Sequence, residues 1–198
     1  SLGELFFPFF GNPELEPEES ESFEAGARFD GRRWSFAATW FSTDFENLID
    51  GDPLTFTAVN IGRAESRGVE LAVGYRRGIA ALRLGATALR TEDLASGEAL
   101  LRRPEESADL VLTLRPTGWV IEAVARYVGD RDDLDPVTFA RATNGDYLVG
   151  DLALTWEASA RWSPYARLRN LTDEMYEEVL GFPAPGRTAI VGLEVELP

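Results

Sequence analysis

The sequence of 198 residues contains neither cysteine nor histidine. Without cysteine, neither a disulfide framework nor a thiolate metal site can form. Without histidine, Ser–His–Asp and Cys–His catalysis is excluded and the commonest transition-metal ligand is missing. Carboxylate pairs could still catalyse a reaction, but Asp and Glu are plentiful throughout the chain, and no context distinguishes an acid/base pair. We therefore predict that the protein is not an enzyme.

The chain also lacks a run of 18 apolar residues, so no transmembrane helix is predicted. It begins at Ser1 without a methionine or a basic-then-apolar signal pattern, which suggests a fragment or a processed chain. The formal charge is −15, from 34 acidic and 19 basic residues. Because phosphate binding requires clustered Lys and Arg, we predict no nucleic-acid partner.

A period-two alternation of apolar and polar residues recurs in about nine segments. In residues 67–75 one strand face carries Arg67, Val69, Leu71, Val73 and Tyr75, and the other carries Gly68, Glu70, Ala72 and Gly74. Since successive side chains of a strand point to opposite faces, such a segment has one apolar and one wet side. The predicted strands are 22–29, 33–46, 56–76 (with a bulge or bend near Gly62), 82–88, 108–115, 119–127, 148–156, a short one containing 167–169, and 188–197.

Connections of two lengths join these segments. Short turns near 30, 78, 117 and 163 alternate with long loops near 50, 98, 138 and 179. Up-and-down outer-membrane barrels have this asymmetry, whereas a Greek-key sandwich has no reason to keep it. We therefore predict an all-β, antiparallel, up-and-down transmembrane β-barrel. Since bacterial single-chain barrels have even strand counts, nine strands would be only part of one.

Aromatic residues flank the predicted apolar band at both ends, as interfacial girdles do. Those beside the short turns are Trp34, Trp119, Trp162 and Tyr165, and those toward the long loops are Trp40, Tyr127 and Tyr147. The alternative is a soluble barrel with ordinary strand-end aromatics.

Three motifs carry a family resemblance. The first is Ser1-Leu2-Gly3-Glu4-Leu5-Phe6 with Gly11-Asn12-Pro13-Glu14-Leu15, Pro17-Glu18, Glu24 and Gly26; the second is Asn60, Gly62, Ala64 and Arg67-Gly68-Val69-Glu70; the third is Asn170-Leu171-Thr172-Asp173-Glu174-Met175-Tyr176 with Gly181-Phe182-Pro183 and Pro185-Gly186-Arg187. In this order, they resemble the C-terminal part of a TonB-dependent outer-membrane receptor. The chain departs from the family at its end, Glu196-Leu197-Pro198, where many such barrels have an aromatic residue read by the assembly machinery.

Within that family the chain resembles the vitamin B12 (cobalamin) receptors most, with catecholate-siderophore and colicin-type receptors close behind. The features that favour this interpretation are Leu2-Gly3-Glu4-Leu5, Asn47-Leu48-Ile49-Asp50 and Leu100-Leu101-Arg102-Arg103-Pro104.

The resemblance implies a barrel of 22 strands in the bacterial outer membrane, enclosing an N-terminal plug. Cobalamin, or otherwise a ferric siderophore, would be captured at the outer face and imported with energy relayed by TonB. Residues 1–198 would supply strands 14 to 22 and would lack the plug, the TonB-contacting box and the first strands. No cofactor is expected. The rival interpretation is a non-transporting β-barrel that binds a ligand or has a structural role.

Two groups of residues follow as candidates. The resemblance implies that charges on the lumen face contact the plug, although a wet interior satisfied by neighbouring strands and water would explain them equally. These charges are Glu70, Arg83, Asp109, Arg115, Glu122, Arg126, Asp151, Arg167 and Arg169, with Glu194 and Glu196 beside them. Aromatic residues of the long loops could contact a large, partly apolar ligand, or could pack loop against loop. They are Phe6, Phe7, Phe9, Phe10, Phe139 and Tyr147.

Acidic runs in the loops admit a further hypothesis. Asp130, Asp132, Asp133 and Asp135 have the oxygen-rich alternation that calcium uses, and glutamates cluster between 14 and 24. Neither run matches an EF-hand, and solvated acidic loops explain both.

Overall fold

A computed structural model describes residues 5–52, 55, 57–60, 62–159 and 161–196, with the backbone alone at Asp50. In chain order the strands in these ranges are β1 (Glu19–Asp30), β2 (Trp34–Glu46), β3 (Ile49–Gly51), β4 (Ala58–Asn60), β5 (Arg63–Arg77), β6 (Ala80–Asp93), β7 (Glu106–Leu114), β8 (Trp119–Val128), β9 (Arg131–Leu134), β10 (Arg141–Asn144), β11 (Tyr147–Trp156), β12 (Trp162–Arg169), β13 (Glu177–Val179), β14 (Phe182–Pro183) and β15 (Thr188–Val195).

Nine of the strands form one antiparallel sheet in the order β1-β2-β5-β6-β7-β8-β11-β12-β15. The order follows the chain, as an up-and-down barrel requires, and the predicted fold class is confirmed. Within the described residues β1 and β15 each pair on one side only, so the sheet is an open segment of a barrel wall. No helix in the described part of the chain is long and apolar enough to cross a membrane.

The long loops are more ordered than the sequence predicted. The predicted strand 56–76 is two strands divided at Gly62, whose φ of 80° interrupts an extended backbone. Its first part, β4, forms a small hairpin with β3. The predicted loops near 138 and 179 contain the hairpins β9–β10 and β13–β14.

One predicted turn lies elsewhere. The connection placed near Ser163-Pro164 is formed before β12, and both residues belong to that strand. Pairing of β12 with β11 begins at Thr155 opposite Tyr165, directly after Pro164. Since proline has no N–H to donate, it is tolerated where the ladder to that neighbour has not yet begun.

One face of the sheet, which we call the outer face, is apolar across all nine strands. The register aligns Phe36 with Val73, Val73 with Leu84, and Leu84 with Leu110. Large side chains on this face are exposed, Leu71 by 50% and Leu193 by 49%. On β8 the outer-face run from Trp119 to Tyr127 extends about 26 Å at about 3.3 Å per residue, close to the height of a membrane band.

Aromatic rings line the short-turn edge of this outer face. Trp34 lies 4.4 Å from Tyr75 and 5.8 Å from Phe36, and Trp119 lies 5.7 Å from Trp156, between ring centroids. The girdle prediction was wrong for Tyr165 and Tyr147, which point to the opposite, inner face. Tyr165 aligns with Gly192 and its ring covers that glycine.

Candidate functional site

The seven buried side chains of the described residues all lie at the long-loop end of the sheet. They are Ala58, Ala64, Tyr147, Arg131, Asp133, Asn144 and Asn170. Four of the seven are polar or charged, so hydrogen bonds rather than an apolar core organise this end of the molecule.

Asp133 on β9 is the centre of one loop contact. Its carboxylate is 0% exposed and accepts hydrogen bonds from Arg102 Nε, the Leu180 N–H and the Leu134 N–H, each at 2.8 Å. Burial alone would raise the pKa of Asp133, but the hydrogen bonds from Leu180, Arg102 and Leu134 and the charge of Arg102 together lower it. One ionised side chain thus joins the β6–β7 loop, the β9–β10 hairpin and the β13–β14 hairpin.

Arg131, at the start of β9, makes a second contact between the same hairpins. It is 6% exposed and donates to the carbonyl oxygens of Glu177 and Glu178, the latter at 3.1 Å. Its guanidinium lies 5.5 Å from the ring centroid of Tyr147, which packs on Tyr176 at 4.3 Å. A cation held over a ring and against carbonyl oxygens is a directional contact that fixes both loops.

The acidic residues between 130 and 135, considered above as a calcium site, accept hydrogen bonds from donors of the protein itself. Asp132 accepts from Arg141 Nε at 3.0 Å, Asp130 from the Asp146 N–H at 2.8 Å, and Asp135 from the Thr138 N–H at 2.7 Å. Among the residues that the structure describes, no group of three or more carboxylates is arranged to hold a metal ion.

The second and third motifs hold loops in place. Asn60 donates to the carbonyl oxygens of Asn47 at 2.7 Å and Glu16 at 3.0 Å, which ties the N-terminal segment to the β2–β5 loop. Asn170 has φ 51°, a conformation that asparagine tolerates, and its amide both donates to the Glu174 carbonyl and accepts from the Glu174 N–H at 2.9 Å. The part of the first motif at residues 1–4, with Leu2-Gly3-Glu4, lies outside the described residues.

The predicted ligand-contacting aromatics are divided among the N-terminal segment, the β9–β10 loop and the start of β11. Phe6, Phe7 and Phe9 are exposed by 68%, 64% and 98%, while Phe10 is held to β4 through its carbonyl oxygen, which accepts from the Ala58 N–H at 2.9 Å. Phe139 lies between β9 and β10 and is 41% exposed. Tyr147, in contrast, is 6% exposed and packs between loops. Their role in ligand binding stays a prediction.

All nine predicted lumen charges lie on the inner side of the sheet, where seven of them line three separate grooves. Arg83 and Arg115 share a groove of about 730 Å³. Glu70 and Asp109 share a second groove of about 290 Å³. A third groove, of about 520 Å³, is lined by three more of these charges, namely Arg126, Asp151 and Arg169.

The two remaining lumen charges, Glu122 and Arg167, flank Ala153 on neighbouring strands. In the part of the chain that the structure describes, no ion pair involves any of the nine. Contact with a plug stays a prediction for all of them.

Charge is divided sharply between the two ends of the sheet. The long-loop segments 5–21, 44–65, 90–106, 130–146 and 170–187 contain 24 acidic residues and seven arginines. The wall and short-turn segments between them, up to residue 196, contain nine acidic residues and 12 arginines. The long-loop end is therefore strongly negative, an unfavourable environment for an anion.

Comparison with known proteins identifies the family. The family described as TonB dependent receptor-like, beta-barrel matches residues 1–171. The chain belongs to this family. The family consists of transport receptors, and membership locates the chain in the bacterial outer membrane, as predicted.

Relatives and solved structures agree with this assignment. The chain is 30% identical over 194 residues to the vitamin B12 transporter BtuB of Vibrio cholerae serotype O1. The matched region is 94% of this chain and 31% of that protein. The corresponding transporter of Vibrio vulnificus strain YJ016 is 28% identical over 181 residues, a match that covers 89% of this chain and 29% of that protein. The chain thus spans about a third of the length of the curated relatives it matches.

Similar solved structures include the copper transporter OprC and the pyoverdine outer membrane receptor FpvA of Pseudomonas aeruginosa PAO1. Their TM-scores are 0.76 and 0.75, each at 18% identity. Both matches cover 92% of this chain, together with 31% of the OprC chain and 30% of the FpvA chain. The ferric-catecholate import receptor Fiu of E. coli K12 has a TM-score of 0.73 at 22% identity, with 92% of this chain and 28% of that one covered. At these identities the likeness concerns the fold alone.

Proposed function

We propose that this chain forms the C-terminal wall of an outer-membrane receptor that takes up cobalamin with energy relayed by TonB. The observation that carries the proposal is the 30% identity to a vitamin B12 transporter over 94% of the chain. Residues 1–198 would supply strands 14 to 22 of a 22-stranded barrel. A plug and the first strands would come from the rest of the protein. The role is transport, without catalysis.

The charge of the long-loop end supports cobalamin over a ferric siderophore. Cyanocobalamin carries no net charge, whereas a ferric tris-catecholate is a trianion because six phenolate oxygens surround one Fe³⁺. The long-loop segments hold 24 acidic residues against seven arginines. An anion approaching this end would be repelled at long range, most strongly at low ionic strength, and a neutral ligand would not.

Within this proposal three groups of residues have separate roles. Exposed aromatics of the outer loops, such as Phe6, Phe7 and Phe9, supply apolar area for a large planar ligand. The contacts centred on Asp133 and Arg131 hold the loops in a fixed arrangement, which lowers the entropy cost of capturing the ligand. Inner-face charges contact the plug.

Binding of cyanocobalamin to the detergent-purified full-length receptor, measured by calorimetry beside a ferric catecholate siderophore, tests the ligand. We expect submicromolar cobalamin binding that changes little between 50 and 500 mM salt, and no heat from the siderophore. Siderophore binding without cobalamin binding would replace the proposal by a ferric-siderophore receptor. Binding of neither would favour a non-transporting barrel.

A further inference from the structure

Two arginines lie side by side on the outer face, at its long-loop end. Arg67 on β5 aligns with Arg90 on β6, one position beyond the outer-face pair Val69 and Ala88. They are therefore the first charged residues that follow the apolar band on their two strands. Both side chains are exposed, that of Arg67 by 57%. We call these two residues the arginine pair.

The arginine pair reverses the sign of the charge around it. On the flanking strands the first charged outer-face residues at this end are carboxylates, Asp44 on β2 and Glu106 on β7. Beyond the pair, toward the loops, Glu65 lies opposite Glu92. On these four strands, positive charge directly beside the apolar band is thus confined at this end to two adjacent positions.

The charge of the pair is only partly balanced by the protein. Directly opposite residues have Cβ atoms about 5 Å apart, a separation at which like charges repel. Arg67 Nη2 lies 2.5 Å from Glu65 Oε2, whereas no ion pair of the described residues involves Arg90. An anion that accepted hydrogen bonds from both guanidinium groups would remove the repulsion, and a phosphate has the geometry to do so.

The outer face is shallow next to the arginine pair, on the side of the apolar band. Ala86 on β6 lies opposite Ala108 on β7, and this pair stands between Leu71 on β5 and Tyr127 on β8. Two methyl side chains between two large ones form a trough about 10 Å wide. A hydrocarbon chain fits in this trough while its headgroup is at the arginines.

We infer that the arginine pair binds a phosphate group of a lipid in the outer leaflet of the membrane. Long loops of outer-membrane barrels face the cell exterior, so the pair lies where the headgroups of that leaflet meet the hydrocarbon layer. A dissolved anion would approach from the loop side, past Glu65 and Glu92, and would be repelled. A lipid phosphate reaches the pair along the membrane surface, and its acyl chains add apolar contact.

Lipid binding to the delipidated full-length receptor in detergent, measured by native mass spectrometry, tests the inference. The probes are diphosphorylated lipid A and the same lipid without its phosphates. We compare Arg67→Gln/Arg90→Gln with Arg76→Gln/Arg77→Gln, which makes the same charge change at the short-turn end of β5. The parent and the control should bind the phosphorylated lipid about tenfold more tightly than the other, the effect of two arginines beside an anionic headgroup. The first variant should lose this preference.

A parent without preference for the phosphorylated lipid, or a first variant that keeps the parent's preference, would overturn the inference. Inorganic phosphate should displace the lipid no better than chloride at the same ionic strength. Displacement by phosphate alone would identify a free anion as the ligand, against a lipid.

Arg90→Gln alone keeps the test valid if the double variant fails to fold, because Arg90 has no ion pair in the described part of the chain. It should weaken binding of the phosphorylated lipid by about threefold to tenfold, and unchanged binding would contradict the inference. The result is independent of the imported ligand. A receptor that binds a siderophore instead of cobalamin would show the same lipid preference.

Discussion

At the scale of single residues, Asp133 shows how a buried charge is retained. Removing a carboxylate from water is unfavourable unless donors replace the lost hydration. Three donors at 2.8 Å do so here, and two of them come from residues 31 and 47 positions away in the chain. The charge therefore holds together loops that have little apolar area to share.

Replacing Asp133 by Asn is expected to separate the β13–β14 hairpin from β9 while leaving the wall intact. The neutral amide weakens the bonds from Leu180 and Arg102, at a cost of about 2–4 kcal/mol. Hydrogen exchange at the Leu180 amide measures the change, since this N–H donates to Asp133 Oδ2. Asp135→Asn removes the same charge from a side chain bonded only within its own turn and serves as the control. Unchanged Leu180 protection in Asp133→Asn would refute the role.

The same carboxylate predicts a pH dependence. Because the pKa of Asp133 is lowered in the folded protein, its stabilising effect is complete above the unfolded value of about 3.9 and is lost as pH falls through the lower folded value. Protection of the Leu180 amide, corrected for intrinsic exchange, should therefore be constant from about pH 7 to pH 5 and decline only below about pH 4. In Asp133→Asn no such decline should occur. A decline centred near pH 6 in the parent would contradict the assignment.

At the scale of strands, two glycines on the inner face allow aromatic rings to lie flat over the backbone. A Cβ on Gly68 would meet the Phe41 ring and the Ala88 carbonyl oxygen, both at 2.6 Å. At Gly192 the three atoms nearest to an added Cβ all belong to the Tyr165 side chain, which can swing aside. The first position is blocked by backbone and the second by a movable side chain.

Gly68→Ala should therefore destabilise the full-length receptor by about 1–3 kcal/mol, since the β5–β6 ladder has to shift. Gly192→Ala, with the same change in size, should cost well under half as much. Urea unfolding in lipid vesicles, followed by tryptophan fluorescence, compares the two. Equal midpoints would show that the carbonyl of Ala88 moves freely, contrary to this view of β5 and β6.

Strands and short turns could be predicted because their causes are local. Alternation along 67–75 and the left-handed Gly78, with φ 57°, act within a few residues of sequence. The inward orientation of Tyr165 could have been predicted as well, because alternation puts it on the same strand face as Arg167 and Arg169, which were assigned to the lumen.

The loop contacts could not be predicted from local pattern. Asp133 accepts a hydrogen bond from the Leu180 N–H, and Arg131 donates one to the Glu177 carbonyl oxygen. Both bonds form only because the strands bring three loops to one end of the sheet. The acidic run around Asp133 indicated calcium as readily as an arginine partner, because both satisfy carboxylates. The arginines inside and just after that run, Arg131 and Arg141, were the available signal for protein partners, whereas Arg102 lies 31 positions away from Asp133.

At the scale of the molecule, the apolar side chains cover the outer face and the charged ones the inner face, which reverses the arrangement of a soluble sheet. Ala123 on β8 and Ala153 on β11 test this because they differ mainly in the face they occupy. Ala123 lies opposite Leu112 and Leu152 on the outer face, and Ala153 lies between Glu122 and Arg167 on the inner face.

Ala123→Arg should destabilise the receptor in lipid vesicles by about 2–4 kcal/mol, because the guanidinium is placed near the middle of the hydrocarbon layer. Ala153→Arg should change the urea midpoint little, because the new guanidinium stays in contact with water. Its attraction to Glu122 is partly offset by repulsion from Arg167. In detergent micelles, which are thinner and more deformable, the penalty at position 123 should shrink. If Ala153→Arg proved as harmful as Ala123→Arg, the two faces would not have the environments assigned to them, and the outer face would need another apolar partner.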